Sequence, residues 1–224
     1  MAHMVVEFCG IPGGGKSTLV AAYVARYQKE SVTVSLDMYH VVPELWYAFV
    51  FSIRHPVAFF FLFQFVLRHH VRGLFWYSFH LLLRACGKYA KARLSSATNV
   101  IIIDEGVLHV IITLSGVSLS EKELDTLLAV VPLPDVVCIA SSGTFHRFHN
   151  THAPRHPRVQ QGSAALTIWK DVVTRNCVTV SERLAFLQIP LWNIQGKQEG
   201  TVQESVTSLH SFLSSVPLSS AGRV

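Results

Sequence analysis

The sequence predicts an α/β fold of three layers, a parallel sheet with helices on both faces. Three observations carry this. Five short β-rich runs are mostly apolar, and Val100 to Ile103 and Val136 to Ala140 are so throughout, where a half-exposed strand would alternate. Helical spacing follows the first run and the last. The second and third runs each end on a carboxylate and the first on a glycine loop, as strands do when they deliver residues to one edge of a parallel sheet.

Val5-Val6-Glu7-Phe8-Cys9 is the first strand and ends at Gly10. Residues 17–29 then place Leu19, Val20, Tyr23, Val24 and Tyr27 at helical spacing. Val32 to Leu36 forms the second strand and ends at Asp37; Val100 to Ile103 forms the third and ends at Asp104-Glu105. Val136 to Ala140 follows Pro134-Asp135, and Ile189 to Ile194 precedes Gln195-Gly196 and a closing amphipathic helix over about Val202 to Leu213. With 224 residues, half of them hydrophobic, the chain can bury the core of one α/β domain over 5–224. Residues 1–4, Met1-Ala2-His3-Met4, read as a cloning remnant ahead of a native start at Met4.

Pro43 to Arg93 breaks the strand–helix rhythm. It is helical in pattern, interrupted at His55-Pro56 and at Gly73, and too long for a simple crossover, so it reads as a helical insertion between strands 2 and 3. It holds more than half of the aromatic residues. Its purest apolar run, Val57 to Leu67, contains Gln64 and falls short of the roughly 20 residues that a spanning helix needs. The net charge of +5 also originates here: from Leu45 to Ile103 there is no Asp or Glu, against Arg54, Arg68, Arg72, Arg84, Lys88, Lys91 and Arg93. Such a wall suits an anionic acceptor with a flat or greasy part, or docking on an anionic membrane surface or a partner protein. Nucleic acid is not an expected partner, because the basic residues sit among apolar stretches and no recognised nucleic-acid motif is present. The four cysteines are far apart and form no C-x-x-C pair, which fits a reducing cytoplasm, with the membrane contact peripheral.

Gly10-Ile11-Pro12-Gly13-Gly14-Gly15-Lys16-Ser17 fits G-x-x-x-x-G-K-[ST] with a strand before it and a helix after it, the context that a phosphate-binding loop requires. The glycines Gly10, Gly13, Gly14 and Gly15 let successive N–H groups turn toward phosphate oxygens, and the helix dipole adds to that field. Lys16 is expected at the β and γ phosphates, Ser17 as a magnesium ligand and Thr18 at the α phosphate. Asp104 is expected on the magnesium as the strand-end carboxylate. Glu105 either positions water or an acceptor hydroxyl, or caps a helix. Asp37 likewise either orients the acceptor hydroxyl and takes its proton, or caps a turn.

These features resemble the nucleoside-monophosphate-kinase-like branch of P-loop proteins, with thymidylate kinase nearest in layout. The shared parts are the Gly10 to Thr18 loop, the strand ending Ile103-Asp104, the Pro134-Asp135 strand, an arginine-bearing lid, and the last strand leading into Gln195-Gly196-Lys197. The resemblance implies a five-stranded parallel sheet in the order 2-3-1-4-5 and transfer of a γ-phosphoryl group to a small acceptor. The lid is Thr144 to Arg158; Arg155 and Arg158 are expected to stabilise the transferred charge, with Arg147 at the nucleotide. Thymidylate kinases usually carry Arg where this chain has Glu105, and the insertion replaces their acceptor-binding region. No N-K-x-D or T-K-x-D guanine signature occurs, so ATP with Mg2+ is the expected cofactor pair. An ATP-binding switch or adaptor docking through the insertion is the alternative to a kinase.

Overall fold

The structure is a computed structural model that describes residues 3–28, 31–34, 41–70, 73–95, 99–115, 117–140, 163–194 and 202–217. Asp37, Arg72, Arg147, Arg155 and Arg158, with the rest of 144–158, lie outside the described residues.

The strands are β1 (Met4–Gly10), β2 (Ser31–Val34), β3 (Val100–Asp104), β4 (Val136–Ala140) and β5 (Leu191–Asn193). They form one parallel sheet in the order β2-β3-β1-β4-β5, as the resemblance implies. β1 is central, pairing Glu7 with Ile103 on one side and Gly10 with Ala140 on the other. Gly10 and Asp104 therefore emerge at the same edge. β1 begins at Met4, which is buried and whose N–H bonds the carbonyl of Asn99 at 2.9 Å, so this methionine belongs to the sheet.

The two-residue period of β1 sorts its side chains between two cores. Met4, Val6 and Phe8 face α1 (Lys16–Arg26) and the closing helix, Val202–Ser215, packing with Leu19, Tyr23, Leu209 and Leu213. Val5 and Cys9 face the larger core, and so does Glu7. That core is covered by helices numbered in chain order: α2 (Val41–Arg54), α3 (Pro56–His69), α4 (Phe75–Leu94), α5 (Val107–Leu114), α6 (Glu121–Val130) and α7 (Ser163–Phe186), which makes the closing helix α8.

The segment between β2 and β3 breaks where the sequence indicates, at His55-Pro56 and around Gly73. Pro56 sits in the first turn of α3, where its missing N–H costs no helical bond. The segment shares the main core: Phe51, Leu62, Phe65, Leu82 and Tyr89 are buried with Ile101 and Ile103 of β3. Burying a phenylalanine or leucine side chain contributes about 1.5–3 kcal/mol, so these helices are part of what stabilises the sheet.

Its charge is also placed differently from the expectation of an uncompensated cluster. Glu44, one residue before the acid-free stretch, is buried on α2 with Oε1 at 3.2 Å from Nε of Arg84 on α4. Arg93 reaches Asp135 at 3.5 Å and the carbonyl of Leu133 at 3.1 Å. Partners distant in sequence thus neutralise part of the basic excess. All four cysteines are buried free thiols.

Candidate active site

The phosphate-binding motif adopts the geometry its glycines permit. Gly10, Gly13 and Gly15 have φ of 107°, 79° and 84°, in the left-handed region that side chains disfavour. At Gly10 contact matters as well: a Cβ there would lie 2.4 Å from the carbonyl oxygen of Ala140 on the paired strand. The loop is tied to that strand by the N–H of Ile11 on the same oxygen, at 2.8 Å. Gly15 caps α1 without a side chain, and the first turn of the helix, Lys16-Ser17-Thr18, contains no acid. The positive end of α1 is thus left for an external anion.

Lys16 is buried and folds back so that its ammonium donates to the carbonyls of Ile11, at 2.9 Å, and Gly10, at 3.3 Å. Ser17 and Thr18 are exposed in the first turn of α1. Ser17 Oγ donates to Asp104 Oδ2 at 2.8 Å, so the two residues chosen from sequence as metal ligands meet across 87 positions of chain. The other oxygen, Oδ1, is buried without a hydrogen-bond partner among the described residues. Burial, then the charge of Glu105, pushes the Asp104 carboxyl above its ordinary value. A divalent cation would relieve both the orphaned oxygen and this electrostatic cost. Among the described residues no three His, Cys, Asp or Glu side chains form a metal cage. The remaining ligands would be water and phosphate oxygens, the usual company of magnesium.

Glu105 has φ of 60°, a conformation rarely adopted by residues other than glycine, asparagine and aspartate. Two interactions hold it: its N–H bonds the Phe8 carbonyl at 3.0 Å, and the Lys88 ammonium donates to the carbonyls of Asp104 and, at 3.4 Å, Glu105. Burial lowers the Lys88 pKa from its ordinary value, opposed by Glu105 and Asp104. The Glu105 carboxylate stays half exposed, 3.6 Å from Nε2 of His109 one helical turn on. It is free of capping duty, since α5 starts at Val107 after Gly106 and takes its cap from elsewhere.

That cap is Glu7. It is fully buried in the centre of β1, and its Oε1 accepts the backbone N–H of His109 at 3.1 Å, in the first turn of α5. A Cβ on Gly106 would lie 2.7 Å from the Glu7 carboxyl carbon, so the glycine makes room for the acid. Burial raises the Glu7 pKa to about 7 against the lowering effect of the helix N–H groups and Lys88. His109 lies beside it, mostly buried, and is held down at about 4, mainly by desolvation, so its ring is neutral near pH 7.

Sequence reasoning did not single out Glu7, Lys88 or His109. An acid inside an apolar strand and a glycine directly after Asp104-Glu105 were the available signals; nothing local marks Lys88.

No family model matches the chain, and no curated protein matches it in sequence. Among solved structures it resembles deoxyadenosine kinase from M. mycoides with products dCMP and dCDP, at a TM-score of 0.57 and 13% identity, covering 95% of this chain and 100% of that one. Thymidylate kinase from Candida albicans aligns at a TM-score of 0.55 and 12% identity, over 95% and 92% of the two chains. The same deoxyadenosine kinase with bound dATP aligns at 0.52 and 12%, over 95% and 100%. At these identities the likeness speaks for architecture alone, and with the strand order and the loop geometry it gives this chain the P-loop kinase fold.

Proposed function

We propose that this protein is an ATP- and magnesium-dependent kinase that transfers the γ-phosphoryl group to a small anionic acceptor. The observation that carries the proposal is the meeting of Ser17 and Asp104 beside the open positive end of α1, with one aspartate oxygen buried and unsatisfied. In this reading the N–H groups of residues 13–17 cradle the phosphates, and Lys16 exchanges the Gly10 and Ile11 carbonyls for phosphate oxygens. Ser17 Oγ and Asp104 would hold the magnesium, which would offset the negative charge of the phosphates. Lys88 fixes the peptide after Asp104 and so keeps that carboxylate at the loop. Glu105, half exposed at the strand end, orients the attacking hydroxyl and accepts its proton.

Asp37 at the acceptor, Arg147 at the nucleotide, and Arg155 and Arg158 as closing cations complete the assignment from sequence. For the acceptor, a nucleoside or nucleotide is the first class to try, since the two architecturally similar kinases are named for deoxyadenosine and thymidylate. Sugar phosphates and lipid-linked phosphates come next. The test is calorimetry with ATP, with and without magnesium, on the wild type and Lys16→Ala, followed by ADP release across that acceptor panel. Loss of ATP binding in the variant supports the reading; unchanged affinity overturns it.

A further inference from the structure

The inner faces of α2 and α3 are spoken for by the core, through Phe51, Ala58, Leu62, Phe65 and Val66, with Ala48 buried beside them. Their outer faces are apolar too. Trp46, Phe49 and Ile53 lie at helical spacing on α2, and Val57, Phe60 and Leu67 follow on α3; all six are exposed, Trp46 and Ile53 to about 60%. Only His55 separates the two helices, whose axes bend by 115°, so Ile53, Arg54, Pro56 and Val57 form one exposed corner. Neither helix is long and apolar enough to cross a membrane, but together Pro43–Arg54 and Pro56–His69 reach the length and apolar content of a membrane-embedded segment.

The charges on these faces have one sign. Arg54 stands exposed at the corner and Arg68 at the end of α3, while no carboxylate occurs from Leu45 to Ile103. Glu44 faces inward on Arg84. Aromatic and branched apolar side chains bordered by arginine, on helices too short to span, have the composition of an interfacial element: rings enter the boundary between headgroups and acyl chains, and guanidinium groups stay with lipid phosphates. A protein partner for a surface this apolar would usually be met by polar groups at its rim, and the acid-free stretch supplies only one sign of charge for them.

We propose that the outer faces of α2 and α3 dock this protein on an anionic lipid bilayer surface, through shallow insertion of Trp46, Phe49, Ile53, Val57 and Phe60. The phosphate-binding loop plays no part in the contact, so the proposal stands or falls apart from the kinase reading.

The experiment is co-sedimentation of the full chain, without nucleotide, with vesicles of phosphatidylcholine alone and of phosphatidylcholine mixed with phosphatidylglycerol. Binding is expected to the mixed vesicles and to be weak on the neutral ones. Phe49→Ser with Phe60→Ser is expected to lower it on the order of tenfold or more, with ATP affinity and the circular dichroism spectrum unchanged. Arg54→Gln should cost about fivefold on mixed vesicles only. Brominated lipid should quench tryptophan fluorescence in the wild type and much less in Trp46→Phe. Failure to sediment with either vesicle, or equal sedimentation of the wild type and the double variant, overturns the proposal. So does a dimer in gel filtration that the double variant turns into monomers, which would mean that a second copy covers this face.

Discussion

Two groups that meet at the start of α5, Glu7 and His109, should give opposite pH dependences that hide each other in the wild type. Glu7 has its pKa raised from 4.5 to about 7. Between those values the folded chain holds a proton at this carboxyl and the unfolded chain does not, so stability falls as pH rises, by about 1.4 kcal/mol per unit and about 3 kcal/mol in all. His109 is lowered from 6.5 to about 4. There the unfolded chain holds the extra proton, so stability rises with pH over that window, again by about 3 kcal/mol. The two windows overlap from 4.5 to 6.5 and their contributions cancel there. Glu7→Gln keeps an acceptor for the His109 N–H and cannot ionise. It should match the wild type near pH 4.5 and exceed it by about 3 kcal/mol above pH 7. His109→Gln should uncover the reverse, a steady fall toward neutral pH. The assay is urea unfolding of the nucleotide-free protein at a series of pH values, with the difference between each variant and the wild type as the readout. A Glu7→Gln difference that does not change with pH would refute the buried neutral carboxyl and, with it, the account of Gly106.

Asp104→Asn should remove the magnesium-stimulated part of ATP affinity, a loss of about tenfold or more, and leave magnesium-free binding near the wild-type value in calorimetry. Gly10→Ala should cost about 1–3 kcal/mol in urea unfolding, because its Cβ meets the Ala140 carbonyl oxygen at 2.4 Å and its φ is 107°. Arg155→Ala and Arg158→Ala should slow phosphoryl transfer with modest change in ATP affinity, since a closing lid acts mainly on the transition state. Steady-state kinetics with an accepted substrate read the difference, and variants with wild-type rate and affinity would make that loop an ordinary exposed one.

The parts of the site visible in the sequence are those written in contiguous residues. The loop from Gly10 to Ser17 has its spacing fixed by the tight path of the backbone, and Asp104 follows an unbroken β-branched run, so both are recognisable without the fold. The helix breaks at His55-Pro56 and Gly73 are legible for the same local reason: proline removes a donor, and Gly73 takes φ of 84°. Order is another matter. Periodicity gives five strands, and the placement of β1 between β3 and β4 came from resemblance, because parallel pairing leaves no local signature that says which strand is the neighbour. β5 is shorter than its apolar run: the strand is Leu191–Asn193 within Ile189 to Ile194, and the buried Ile189 and Ile194 flank it.

Charge is where reading along the chain goes astray. A window from Leu45 to Ile103 excludes Glu44 by one residue and Asp135 by many, yet Glu44 reaches Arg84 and Asp135 reaches Arg93. Lys88 directs its charge to two backbone carbonyls at the end of β3. A sum over sequence treats these cations as one field, whereas the fold divides them by helix face. Arg84, Lys88 and Arg93 lie on α4, whose buried side packs against the sheet, and Arg54 and Arg68 point outward on α2 and α3. Coulomb interactions through the interior are stronger than through water, so an inward cation a few ångströms from a carboxylate is engaged there and contributes little to a distant surface field. The surface that attracts anions is therefore carried by fewer arginines than the count suggests, and those that remain stand beside the exposed aromatic residues.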